Sequence, residues 1–225
     1  MTWWEFWKPK PERLAWVRDF LKLHEQPIAG VRSLDQLSFV VLDTETSGFD
    51  PDKDSILSFG AVKISGLKIQ VTSSVEWYPT AKDKGRKTAP IHGLVAIPDQ
   101  IAMDDFLQKL LLYLGNSILV GHHVGFDLEM LRSQLRHFGL ESFPNPVIDT
   151  FSLALRLEHG PQADRSRVNP GAYTLDALCD RYGIEPEDRH TAAGDAFLTA
   201  QLFLKLLKKC NSTGISSFRD LMRNY

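Results

Sequence analysis

The residues of this 225-residue chain whose types and spacing could do chemistry are Asp43, Glu45, Asp127, Asp195 and His190. Asp43 and Glu45 end the run Phe39-Val40-Val41-Leu42, which reads as a strand buried on both faces. Strand side chains alternate, so both carboxylates project to one side and Thr44 to the other. Two like charges held together repel unless a proton or cation intervenes, which calls for a hard divalent metal with oxygen ligands. Taken alone, Asp-x-Glu is better explained as a polar turn in which Asp43 or Ser47 caps a bend before Gly48.

The downstream acids change that balance. Asp127 shares a helical face with Leu131, Gln134, Leu135 and Phe138, so it lies on the side that meets the sheet. By itself it would be a first-turn acid stabilised by the helix dipole. Asp195 stands beside the apolar stripe Ala193, Ala196, Phe197, Ala200, Leu204 and Leu207, five residues after His190. A lone histidine at a helix entrance is by default a cap or surface residue. Together, however, one strand end and two helix starts supply four carboxylates. Such a set can hold two Mg²⁺ or Mn²⁺ ions about 4 Å apart for in-line displacement at phosphorus. A histidine beside it can deprotonate a metal-bound water. Hard oxygen donors without a cysteine cluster make zinc the less natural ion.

The positioning elements follow from the pattern. After the opening strand come strands over residues 56–64 and 67–78, joined at Ser65-Gly66 as a tight hairpin, which gives an antiparallel start. Helical periodicity then begins at Asp99, with short strands at residues 117–121 and 147–149 and helices at residues 125–138, 150–157, 174–182 and 191–208. Alternating strands and helices imply parallel crossovers. Lys82, Lys84, Arg86 and Lys87, with Arg165 and Arg167, are candidate phosphate-backbone contacts. Trp3, Trp4, Trp7 and Trp16 mark an N-terminal extension whose helix presents Leu14, Val17, Phe20, Leu21 and Leu23. Packing on the domain is its expected role, with a protein partner or a membrane surface as alternatives.

A net charge of −2 rules out a bulk field for nucleic acid, so any such contact must be local. No apolar run reaches the length of a membrane span. Glu5, Lys8 and Pro9 interrupt what a signal peptide would need. Cys179 and Cys210 lack paired-motif spacing, which fits a reducing, cytoplasmic setting.

Asp43-Thr44-Glu45-Thr46, His123-Val124-Gly125-Phe126-Asp127 and His190-Thr191-Ala192-Ala193-Gly194-Asp195 come in the order and approximate spacing of the three DEDDh motifs. With Ile91-His92-Gly93 and Ile148-Asp149-Thr150, the chain resembles the DnaQ-like, epsilon-type proofreading 3′–5′ exonucleases over about residues 37–208. The resemblance implies an α/β, ribonuclease-H-like fold: a five-stranded mixed sheet, its first three strands antiparallel, flanked by helices. It divides the chain into a helical extension (1–35), an exonuclease domain (36–210) and a short C-terminal tail (211–225). It also implies Asp43, Glu45, Asp127 and Asp195 as ligands of two Mg²⁺ or Mn²⁺, and His190 as general base. Thr46, Gly48 and His92 would lie near the terminal nucleotide, with Phe126 as packing support. His123 replaces the asparagine usual in the second motif, and the short tail leaves little room for a polymerase-binding segment. The implied substrate is a single-stranded 3′ end, DNA ahead of RNA. The alternatives are an exoribonuclease, or a catalytically silent nucleic-acid-binding or scaffold module of the same fold.

Overall fold

A computed structural model describes residues 14–80, 99–163, 166 and 168–223. The central strand is β1 (Ser38–Thr46). On one side β2 (Ile56–Ser65) pairs with it antiparallel, and β3 (Lys68–Pro79) pairs antiparallel with β2. On the other side, β5 (Ile118–Gly121) and then β6 (Val147–Asp149) add in parallel. These are the five expected strands. A sixth, β4 (Gln100–Ile101), runs parallel to Tyr78 and Pro79 at the edge, giving the order β4-β3-β2-β1-β5-β6. Two residues are too few to carry an alternation signal, which is why the sequence did not reveal it.

The β2–β3 turn is centred on Gly66 and Leu67 rather than on Ser65-Gly66. Their φ values are 59° and 55°. Two left-handed residues in succession match the twist of paired strands, and Leu67 adopts a conformation usually left to Asn or Gly.

The helices are α1 (Ala15–Lys22), α2 (Met103–Leu114), α3 (Gly125–Leu135), α4 (Thr150–His159), α5 (Leu175–Tyr182), α6 (Ala192–Ser212) and α7 (Phe218–Met222). They cover both faces of β1. Phe39 and Val41 join a core built with α4, α5, α6 and α7, whereas Val40 and Leu42 join one built with α1, α2 and α3. Alternation along a single strand therefore sorts side chains between two cores.

In α1, Val17 and Phe20 are buried, and Trp16 packs on Phe138 with ring centroids 5.4 Å apart. Leu14 and Leu23, expected on the same apolar face, fall just outside the helix and are exposed. The start of the chain and the expected tryptophan cluster at residues 3–7 lie outside the described residues. Residues 30–34 pair with the segment entering α7: Phe218 N–H donates to Arg32 C=O at 2.8 Å and Arg219 N–H to Gly30 C=O at 2.9 Å.

In α6 the buried residues are Ala192, Asp195, Ala196, Leu198, Thr199, Ala200, Leu202, Phe203, Leu206, Leu207 and Cys210. Ala196, Ala200 and Leu207 of the expected stripe are among them, and Asp195 lies within the buried face rather than beside it. Covering two neighbouring strands widens the buried arc, so Ala193, Phe197 and Leu204 become its half-buried margin.

Candidate active site

The parallel β1–β5 ladder stops at Val41 and Val120, while β1 continues along β2 to Thr46. Residues 43–46 therefore stand beyond the end of β5, where the carboxyl ends of strands open onto a crevice at the point of divergence. Asp43 and Glu45 take the face of Phe39 and Val41, which is the α6 face; Thr44 takes the α3 face.

The two faces hold different parts of the site. Oxygen atoms of Asp43, Glu45 and Asp195 lie within 4.8 Å of one another. Asp127 reaches the strand end from α3, on the other face, and stands outside that trio. Its Oδ1 accepts from Thr44 N–H at 2.9 Å and from Thr44 Oγ1 at 2.6 Å. The structure thus brings three of the four expected acids together and fastens the fourth to the residue between two of them.

Glycines permit the close approach. Gly60 pairs with Asp43 in the β1–β2 register, and a Cβ there would overlap the Ala192 carbonyl group at the start of α6. The helix consequently rests directly on the sheet with Asp195 one turn away. Thr191 caps α6, its Oγ1 accepting from Gly194 N–H at 3.0 Å.

Crowding has an electrostatic cost. Burial, reinforced by the charges of Asp127, Asp195 and Glu45, holds the Asp43 carboxyl well above the usual carboxylate range. Burial pushes Asp127 up to about 6, against the two hydrogen bonds from Thr44. Clustered carboxylates with no soft ligand among them fit a hard divalent cation.

His190 is exposed at the entrance to α6, with a left-handed φ of 64°. The residue before it, Arg189, was not singled out from sequence, yet it ion-pairs with both Asp195 and Asp176. Its signal was only a cation directly after the acidic run Glu185, Glu187, Asp188.

At the rim, Thr46 Oγ1 donates to Gly48 C=O at 2.9 Å, and a Cβ on Gly48 would run into the Asp54 carboxylate. Phe49, which sequence reasoning also passed over, is 88% exposed, with its ring centroid 5.8 Å from that of half-buried Phe126. His92, the basic run at residues 82–87, Arg165 and Arg167 lie outside the described residues.

The substituted second motif has its own anchoring. His123 adopts φ 59°, its N–H donates to Asp149 Oδ1 at 3.1 Å, and its ring lies 4.6 Å from that of Phe151. The preceding His122 shares a 2.9 Å hydrogen bond between Nδ1 and Thr150 Oγ1. Burial pushes its pKa down to about 4.

A mixed sheet of this order, flanked by helices and with carboxylates clustered at the end of its central strand, has a ribonuclease-H-like architecture. The exonuclease family model RNase T matches residues 40–203, and the chain belongs to that family. It is 31% identical over 195 residues to the DNA polymerase III PolC-type protein of Thermotoga petrophila, covering 84% of this chain but 13% of that one. It is 29% identical over 191 residues to DNA polymerase III subunit epsilon of Aquifex aeolicus, covering 83% and 89%. The fold matches that of E. coli exonuclease I in complex with a dT13 oligonucleotide, with a TM-score of 0.63 at 20% identity over 80% of this chain and 43% of that one. Among the described residues no helix is long and apolar enough to cross a membrane.

Proposed function

We propose that the chain is a divalent-metal-dependent 3′–5′ exonuclease that hydrolyses phosphodiester bonds at single-stranded 3′ ends and releases nucleoside 5′-monophosphates. The observation that carries this reading is the convergence of Asp43, Glu45 and Asp195, with Asp127 fastened to Thr44 between them. These four carboxylates would hold two Mg²⁺ or Mn²⁺ ions, which when bound supply charge stabilisation at the phosphate and a water of lowered pKa.

The remaining steps belong to side chains. Thr44 fixes Asp127, leaving the other carboxylate oxygen for the site. His190 takes the proton of the attacking water. Phe49, backed by Phe126, offers an aromatic face to the terminal base. Thr46, Gly48 and His92 bound the terminal nucleotide. The similarity to polymerase III epsilon and PolC-type proteins, and to an exonuclease I solved with a dT13 oligonucleotide, supports DNA ahead of RNA. Two buried, unpaired cysteines, Cys179 and Cys210, support a reducing cytoplasmic setting.

A silent binding module would not need mutually repelling acids, and the Asp43 carboxyl is held up first by burial and then by the charges of Asp127, Asp195 and Glu45. The test is digestion of 3′-labelled single-stranded DNA, duplex DNA and RNA with Mg²⁺ or Mn²⁺. Wild type should degrade single-stranded DNA fastest and gain thermal stability with Mn²⁺. Asp43→Ala and Asp195→Ala should remain folded and lose both properties. Near wild-type turnover in either variant would sink the assignment.

A further inference from the structure

Arg189 occupies ground that the proposed metals would need. Its guanidinium lies between Asp195 on α6 and Asp176 on α5. Nη1 donates to Asp195 Oδ1, while Nε and Nη2 donate to Asp176 Oδ1 and Oδ2 at 2.5 and 3.1 Å. The two carboxylates differ in setting: the Asp195 side chain is 12% exposed and that of Asp176 is 59% exposed.

The loop carrying Arg189 is held close to the start of α6. A Cβ on Gly194 would overlap the Asp188 carbonyl, and Thr191 Oγ1 donates to that same carbonyl at 2.9 Å. Chain path and ion pair together keep the guanidinium on the carboxylate that also belongs to the Asp43–Glu45–Asp195 cluster. A guanidinium and a divalent cation repel each other, so they compete for one carboxylate. The fork on Asp176 is bidentate, whereas one bond holds Asp195. Arg189 can therefore release Asp195 by breaking that one bond, without entering solvent unpaired.

We propose that Arg189 is an internal counter-ion that occupies Asp195 in the metal-free enzyme and withdraws onto Asp176 when a divalent metal binds. Asp176 is then a positioning residue: it sets the metal affinity of a carboxylate on another helix by offering the arginine an alternative station. This rests on reading the acid cluster as a metal site.

Calorimetric titration of Mn²⁺ into wild type, Arg189→Gln, Asp176→Asn and the double variant tests it, with circular dichroism checking that each is folded. Arg189→Gln should bind Mn²⁺ roughly fivefold or more tightly than wild type, within the usual range of coupling between sites. Asp176→Asn should weaken binding by a similar factor when Arg189 is present and have no effect in the Arg189→Gln background. Equal weakening in both backgrounds would mean that Asp176 acts only as a distant charge, and would overturn the proposal. So would an Arg189→Gln variant that binds no more tightly than wild type. Asp176 is exposed, so Asp176→Asn remains informative if Arg189→Gln fails to fold: unchanged Mn²⁺ affinity in that single variant overturns the proposal. Wild type that binds no Mn²⁺ would remove the metal-site reading itself, and the competition with it.

Discussion

Gly60 stands opposite Asp43 in the β1–β2 ladder, and the first turn of α6 rests on the bare patch of sheet that its missing side chain leaves. One hydrogen atom in place of a methyl group thus sets how near Asp195 comes to Asp43. Gly60→Ala should force α6 outward, costing about 1–3 kcal/mol as overpacked cores do. Chemical denaturation measures the cost. Nuclease activity and the Mn²⁺-induced rise in Tm should both fall far more than the stability loss explains.

Thr44→Val keeps the shape and the strand propensity but removes the 2.6 Å hydroxyl bond to Asp127. A hydrogen bond to a charged group is worth on the order of 1.5–3 kcal/mol, although the backbone N–H contact at 2.9 Å remains and limits the loss. Removing a residue that orients a ligand typically costs roughly 10–100-fold in metal affinity or activity. Steady-state kinetics across an Mn²⁺ series should show that loss in a folded protein. An unchanged metal requirement would count against Thr44 as the group that orients Asp127.

Phe49→Ala separates binding from stability. The side chain is 88% exposed, so Tm should not move. If its ring stacks on the terminal base, a contact worth roughly 1–3 kcal/mol, KM for single-stranded DNA should rise about tenfold or more. A variant with wild-type KM would remove Phe49 from the substrate site.

His122 gives a pH dependence of defined sign. Its folded pKa of about 4 lies below the ordinary histidine value of 6.5, so the folded state binds fewer protons than the unfolded state between those values. Stability from this residue is complete above pH 6.5 and falls as the pH drops toward 4, by up to roughly 3 kcal/mol. Urea denaturation of wild type and His122→Gln at pH 7.5 and pH 5 isolates the effect, since the raised pKa of Asp127 acts in the opposite direction in both proteins. Wild type should lose more on acidification than the variant.

The amino-acid sequence by itself determined the alternation of β1, and with it the separation of Asp43 and Glu45 from Thr44. It also determined the helix-start positions of Asp127 and Asp195, because local periodicity and element order are written in neighbouring residues. The sequence did not show that α6 approaches β2 at Gly60, that Asp127 is fastened to Thr44 from the opposite face, or that Phe49 lies exposed over Phe126. Nor did it show that Arg189 bridges Asp176 and Asp195 while His190 remains outside. Each of these joins residues from different elements or different turns of the chain. Their distances depend on how helices settle against the sheet, a balance of packing and charge that only the tertiary structure decides.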